Sequence, residues 1–317
     1  MKDILVIGSR GSKLALWQAE WVRARLASIE PRIEVRIEII KTSGDVMRDV
    51  PLAVIGGKGV FTKELEQALL ERRIDVAVHS LKDLPTVVPG GLSITAIAER
   101  EDARDALVLP ADAPRENASI KSLPRGASVG TSSPRRLAQL KHLRPDVVVR
   151  DLRGNVDTRL RKLDAGEYAA VILASAGLRR LGFAERISAP VSTEEMLPAV
   201  GQGALGIETR ADDDATNALV VRLDHAPTRA ACEAERALLR RLGGGCTVPI
   251  AAHATLRGDV LRLEGMVAAL SGEEVVREWL EGDAADAVAI GEALAARLQE
   301  LGANSLLADV QRQTPVP

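Results

Sequence analysis

The sequence predicts two α/β domains that form a hinged cleft, followed by a smaller α+β domain built on a three-stranded antiparallel sheet. Three observations carry that prediction. Strand-like and helix-like stretches alternate from Ile4 to Leu181, the rhythm of sheets with helices on both faces. The run from Glu99 to Asp105 is dense in charge and has no apolar period, so it marks a crossing into a second domain. The glycine-hinged stretch Leu197 to Glu208 reads as a return to the first sheet, and from about His225 the order becomes helix, three alternating strands and two helices. The expected domains are 1–99 with about 203–222, then 104–197, then 225–317.

Composition agrees. The 317 residues are 46% hydrophobic and 27% charged, ordinary for a globular protein of two or three domains. Aromatics are only 2%, so the cores must be built from aliphatic side chains. Ile4–Ile7 is too short for a signal-peptide core, and no apolar stretch approaches the roughly 18 residues of a membrane span. Two cysteines, Cys232 and Cys246, make no disulfide framework, and the four histidines have no ligand spacing with them. These features point to a cytoplasmic protein with free thiols and no metal. The net charge of −2 is unevenly spread: Lys121–Lys162 holds eleven Lys or Arg and three Asp, a local +8, so the remainder carries −10. Such a window fits an anionic ligand better than a nucleic acid, for which the chain also lacks stacking aromatics.

Ile4–Gly8 reads as a buried strand. Ser12 caps a helix to about Ile29, so Arg10 and Ser12 stand where a strand hands over to a helix, a place that favours anions. Ile33–Lys41 alternates as a second strand. Thr42–Gly59 is polar and glycine-rich, a lid-like loop that ends in Gly56-Gly57-Lys58-Gly59, with Phe61 just beyond. It is not a phosphate-binding P-loop, because Leu52 and Gly59 stand where a Gly and a Ser or Thr belong. After a helix Lys63–Arg72, the strand Ile74–Val78 runs into His79-Ser80-Leu81-Lys82-Asp83-Leu84-Pro85, polar residues at a strand's carboxyl end, where α/β sheets bind ligands. Taken alone, Asp83 there reads first as the opening of a turn.

Ile94–Ala98 completes the first series. The second domain shows strands Ser128–Gly130, Val147–Arg150 and Ala170–Ala174, with helices from Ser133, Asn155 and about Ala176, a pattern that implies a parallel sheet. Two of its turns carry the basic charge: Gly130-Thr131-Ser132-Ser133-Pro134-Arg135-Arg136 and Leu152-Arg153-Gly154-Asn155-Val156-Asp157-Thr158-Arg159. Both aim hydroxyls, N–H groups and guanidinium forks at one sheet end, and such forks suit carboxylates. Pairing with Asp146, Asp151 and Asp157 is the plainer alternative for any one arginine. In the third domain a helix Ala226–Leu242 is followed by Gly243-Gly244-Gly245-Cys246, which presents one thiol on a pliant loop. The strands Ala251–Leu256, Val260–Val267 and Glu274–Leu280 and the helices Ala284–Leu301 and Ser305–Gln311 follow. Cys232 sits among alanines on a helix and reads as a core thiol.

These motifs together resemble the porphobilinogen deaminase family over essentially the whole chain. The resemblance rests on Gly8–Gln18, Gly56–Gly59, Val78–Pro85, Gly130–Ser133, Leu152–Asn155, Pro198–Gly203 and Gly244–Cys246, in that order. It implies a three-domain transferase, a monomer, that joins four porphobilinogen molecules head to tail, releases ammonia and yields hydroxymethylbilane for tetrapyrrole synthesis. Cys246 would carry a dipyrromethane cofactor by a thioether, and Asp83 would be the catalytic carboxylate. Ser80, Lys82, Thr131, Ser133, Arg135 and Arg136 would bind the cofactor with Asp83. Arg10, Ser12, Gln18, Lys58, Phe61, Arg153, Arg159, Arg180 and Gln202 would bind substrate. Two positions depart from the usual pattern: Val54 stands where members often have Lys, and Pro134 replaces another apolar residue. The competing reading is a non-enzymatic cytoplasmic cleft protein that closes on a small carboxylate. Only the enzyme needs a modified Cys246 and a chemically essential Asp83.

Overall fold

A computed structural model of the chain describes residues 3–46, 59–245 and 248–313. In chain order these form β1 (Ile4–Ser9), α1 (Lys13–Ile29), β2 (Glu34–Ile39), one helical turn (Ser43–Val46), α2 (Lys63–Leu70), β3 (Val76–Ser80) and β4 (Leu92–Ile97). Next come β5 (Asp105–Val108), β6 (Ser128–Gly130), α3 (Pro134–Leu143), β7 (Val148–Arg150), α4 (Val156–Asp164), β8 (Ala170–Ala174), α5 (Ser175–Arg180) and β9 (Ala189–Pro190). The chain then adds β10 (Leu205–Arg210), α6 (Asp214–Val220) and α7 (Ala226–Arg241). It ends with β11 (Ile250–Arg257), β12 (Val260–Ala268), β13 (Val275–Asp283), α8 (Ala287–Glu300) and α9 (Ala303–Gln313).

Two compact units result. One comprises the described residues up to Glu101 together with Ala204–Arg229; the other comprises Asp102–Gly203 and the described residues from Ala230 onward. The first unit holds a five-stranded sheet ordered β2-β1-β3-β10-β4, and the second holds one ordered β7-β6-β8-β5-β9. The two sheets repeat one plan. Three strands run parallel, and the fourth lies antiparallel to both of its neighbours. In each sheet that fourth strand begins just after the chain has changed units.

Burial explains which residues build these layers. On one face of the first sheet, Leu5, Ile7, Val76, Val78 and Ile207 pack with Val22 and Leu26 of α1. On the other, Ala77 packs with Leu65, Ala68 and Leu69 of α2, as the two-residue side-chain period requires. Ser12 caps α1 through its Oγ, and Ser133 caps α3 with Pro134 at the first helical position. The β11-β12-β13 sheet is antiparallel throughout and rests Leu261, Leu263 and Val267 on Leu238 of α7 and on Leu294 and Leu298 of α8.

The structure corrects the sequence reading in three places. The sheet of the second unit is mixed rather than parallel, because β5 pairs antiparallel with β8 and β9. β5 opens at Asp105, the last residue of the run taken as a pure crossing. The change of units falls inside that run, between Glu101 and Asp102, but the Asp105 carboxylate that follows is neutralised by arginines rather than solvated. Helix α6, capped by Asp213, follows the return strand without having been expected.

Candidate functional site

In the first unit, the site gathers at the carboxyl ends of β1 and β3. β3 ends in a single 3₁₀ turn, Leu81–Asp83. Leu81 and Leu84 are buried, and the Leu81 N–H donates to the Ala204 carbonyl at 3.0 Å. Those two anchors leave Lys82 half-buried and turn Asp83 out to solvent. Among the described residues, no hydrogen bond or ion pair takes up the Asp83 carboxylate.

Asp83 borders a small cleft of about 70 Å³ that is also lined by Arg10, Ser12, Gln18, Phe61 and Ser80. A cleft that size admits the tip of a ligand, such as a carboxylate or an aminomethyl group, together with a water or two. The Ser12 Oγ accepts the Ala15 N–H at 3.2 Å, so it is engaged in capping α1, whose positive end faces the same cleft. The Gln18 amide is buried and donates to the Ser80 Oγ at 2.8 Å. The Arg10 guanidinium lies 4.1 Å from the Phe61 ring centroid. That stack needs Gly44: a Cβ there would stand 2.1 Å from the ring. Lys58 and Val54 of the expected lid lie outside the described residues.

In the second unit the two basic turns are stitched together. Ser132 Oγ donates to the Leu152 carbonyl at 2.7 Å and accepts the Leu152 N–H at 3.0 Å, while the Thr131 N–H reaches the Arg150 carbonyl. Thr131 Oγ1 accepts the Ser133 N–H, and Ser133 Oγ accepts the Arg136 N–H, so both hydroxyls shape the turn that opens α3. Gly154 holds the second turn at φ +108°, a conformation that a side chain resists. Arg153 pairs with Asp151 at 2.6 Å, Arg159 donates to the Gly154 carbonyl, and Arg180 donates to the Gly203 carbonyl.

Arg135 and Arg136 depart most from expectation. Both are buried, at 4% and 6% exposure, rather than projecting toward solvent. Their common partner is Asp105, which the sequence analysis passed over as part of a crossing. Asp105 Oδ2 accepts Arg135 Nη1 at 2.7 Å; Oδ1 accepts Arg136 Nη2 at 2.7 Å and Nε at 3.1 Å, and Gln202 Nε2 at 2.8 Å. Arg135 also donates to the Leu197 carbonyl and Arg136 to that of Ile172. Burial alone would push the Asp105 carboxyl up, but the two guanidinium charges and their hydrogen bonds hold it far below the usual carboxylate range. Burial likewise lowers Arg135 against the pull of Asp105, with Arg136 adding to the lowering. Two cations on one carboxylate leave a buried surplus of one positive charge. Arg135 Nε is, among the described residues, a buried donor without an acceptor.

Cys246 lies outside the described residues. Cys232 is fully buried, as its alanine-rich helix foretold. No helix among the described residues is long and apolar enough to cross a membrane.

Comparison with known proteins bears directly on this arrangement. Residues 5–218 match the family model described as "Porphobilinogen deaminase, dipyromethane cofactor binding domain", and residues 229–300 match "Porphobilinogen deaminase, C-terminal domain". A curated porphobilinogen deaminase of Pelobacter propionicus is 50% identical over 309 residues, 98% of each chain. Another, of Syntrophotalea carbinolica, is 50% identical over 313 residues, 99% of this chain and 98% of its own. Among solved structures, the methionine-binding protein MetQ aligns with 70% of this chain and 89% of its own at 13% identity and a TM-score of 0.44, too distant to bear on function.

Proposed function

The chain belongs to the porphobilinogen deaminase family, transferases of tetrapyrrole synthesis, and from that premise we propose how its residues divide the work. The reaction joins four porphobilinogen molecules head to tail with release of ammonia, giving hydroxymethylbilane. Loss of ammonia from porphobilinogen leaves an electron-poor, azafulvene-type cation. A carboxylate set beside the pyrrole N–H groups stabilises that cation and moves a proton. Asp83 is that carboxylate. The observation that carries the assignment is its placement: exposed between two buried leucines, at a strand's carboxyl end, bordering the cleft that Arg10 and Ser12 also line.

A ligand rich in carboxylates suits the second unit. The surplus positive charge around Asp105 and the unaccepted Arg135 Nε both call for an anion. We assign the acid groups of dipyrromethane to Thr131, Ser133, Arg135 and Arg136, and also to Ser80 and Lys82 beside Asp83. When bound, this group supplies the pyrrole carbon to which the first substrate is joined. Cys246 is its point of attachment, by a thioether, which gives a loop thiol a reason to stay free until modified. Substrate carboxylates fall to Arg10, Ser12, Lys58, Arg153, Arg159 and Arg180, with Phe61 against the ring. Gln18 acts through Ser80, and Gln202 acts through Asp105. The same reading makes the chain a cytoplasmic monomer that binds no nucleic acid, with domains 1–99 plus about 203–222, 104–197 and 225–317.

Two measurements test the proposal. Intact mass of the purified enzyme should exceed the chain mass by two pyrrole units, and Cys246→Ser should abolish the increment; an unmodified wild-type chain would contradict the attachment. Asp83→Asn should keep the fold and lose nearly all turnover, whereas normal turnover in that variant would remove Asp83 from the chemistry.

A further inference from the structure

Behind the cleft lies a buried ionisable cluster that none of the foregoing uses. His79 is the residue before Ser80 on β3, and its side chain shares the Ala77 face of the sheet, toward α2. On the neighbouring strand Glu208 lies on that same face, opposite Ile207. His79 Nε2 and Glu208 Oε2 are 3.0 Å apart, with side chains 4% and 0% exposed. From α2 above them, Glu66 turns inward and is 8% exposed. Burial pushes the Glu66 carboxyl up, with Glu208 adding to the rise and His79 opposing it. Glu64 and Arg210 also face this space, and Glu64 Oε2 and Arg210 Nε are buried without a partner among the described residues. Glu64 accepts the Ser43 N–H, and Arg210 is committed to Asp75 and Asp213.

The charges do not balance as drawn. Two buried carboxylates face one imidazole, so full ionisation leaves a net negative charge where water is scarce, and that is costly. The hydrogen bonds do not balance either. Glu66 Oε1 and Glu208 Oε1 are both buried without a donor among the described residues. One proton eases both deficits. Placed on Glu66, it removes one buried negative charge and turns an orphaned acceptor into a donor. Among the described residues no group of three or more His, Cys, Asp or Glu is placed to hold a metal ion.

His79 and Thr62 line the same cleft as Asp83. We propose that Glu66, Glu208 and His79 hold one exchangeable proton and pass it to and from that cleft, acting as relay groups behind Asp83. The inference rests on the reading of Asp83 given above. In each condensation the substrate enters as its ammonium form, its carbon–nitrogen bond breaks, a carbon–carbon bond forms to the methylene, the attacking pyrrole carbon loses a proton, and the departing ammonia takes up one to leave as ammonium. A lone carboxylate must accept the first proton and be cleared before the next cycle. The cluster supplies a proton to the departing nitrogen and is refilled from Asp83, so that atoms and charge balance over each turn.

Infrared spectroscopy and kinetics test this on the intact enzyme. Wild type at neutral pH should show the carbonyl stretch of a protonated carboxylic acid, and Glu66→Gln should remove it while Asp83→Asn keeps it. Glu66→Gln should leave KM within about twofold, lower kcat about tenfold, less than the loss of a direct acid–base group, and abolish the alkaline fall of the kcat–pH profile. A wild type without that band, or a Glu66→Gln enzyme with unchanged kcat and pH profile, would overturn the proposal. Should Glu66→Gln fail to fold, the wild-type band alone decides. Full turnover in Asp83→Asn with the band present would sink the Asp83 assignment and leave the shared proton standing.

Discussion

Asp105→Asn is the most informative single substitution in the second unit. The native carboxylate is fully buried, accepts four hydrogen bonds and offsets two guanidinium groups. The amide has almost the same shape but no charge, and it turns a donor toward Arg135 or Arg136. Removing one partner of a buried ion pair costs about 3–5 kcal/mol, chiefly because the other charge is stranded. Against a total stability of about 5–15 kcal/mol the loss is large. In a unit of this size it lowers the unfolding midpoint by roughly 10 °C. The difference has a definite pH dependence. The folded Asp105 carboxyl is depressed, so its contribution is complete above the unfolded value of about 3.9 and drains away as pH falls below that. Thermal unfolding followed by circular dichroism at pH 7 and pH 4, and again at the lowest pH that keeps the wild type folded, should show a gap that is full at pH 7 and narrows at the acid end. Equal midpoints at pH 7, or a gap that widens on acidification, would refute the electrostatic account.

Other perturbations follow from the same geometry. Gly44→Ala drives a methyl group into the Phe61 ring and should unseat it from Arg10, raising KM severalfold in steady-state assays with little change in midpoint. Ser132→Ala removes both bonds that tie the basic turns, so urea titration should register a loss of about 1–2 kcal/mol together with weaker substrate binding. Buried Glu235 of α7 accepts the Gly201 N–H at 2.7 Å and the Ala254 N–H at 2.8 Å, so Glu235→Gln turns an amide donor toward one of them; a loss of about 1–3 kcal/mol in the same titration is expected, and none would contradict these contacts.

Much of the first sheet was legible because its strands alternate and Ser12 caps α1, and in the second unit Ser133 and Pro134 likewise open α3 as their chemistry favours. The position of Asp83 was legible too, as a polar turn after an apolar strand. Asp105 was not. In a linear reading an acid beside Arg104 looks like solvated charge, and only the antiparallel β5–β8 pairing carries it beneath the arginines of α3. The His79–Glu208 pair was hidden for the same reason, since 129 residues separate its members and strand register alone unites them. The glycines of the basic turns signalled their positions, but nothing local revealed that Ser132 would tie the two together.

The strand order of the first unit bears on how the molecule is made. β10 sits between β3 and β4, yet it is synthesised about a hundred residues after both. A chain emerging from the ribosome therefore carries a gapped sheet, with exposed edges on either side of the vacancy, until residue 210 arrives. A fragment cut at Glu101 lacks an interior strand rather than an edge, so the amino-terminal part is not an autonomous folding unit. By contrast, β5 to β9 are contiguous in sequence, and that sheet can close first. The order of assembly is thus set by where one late strand inserts.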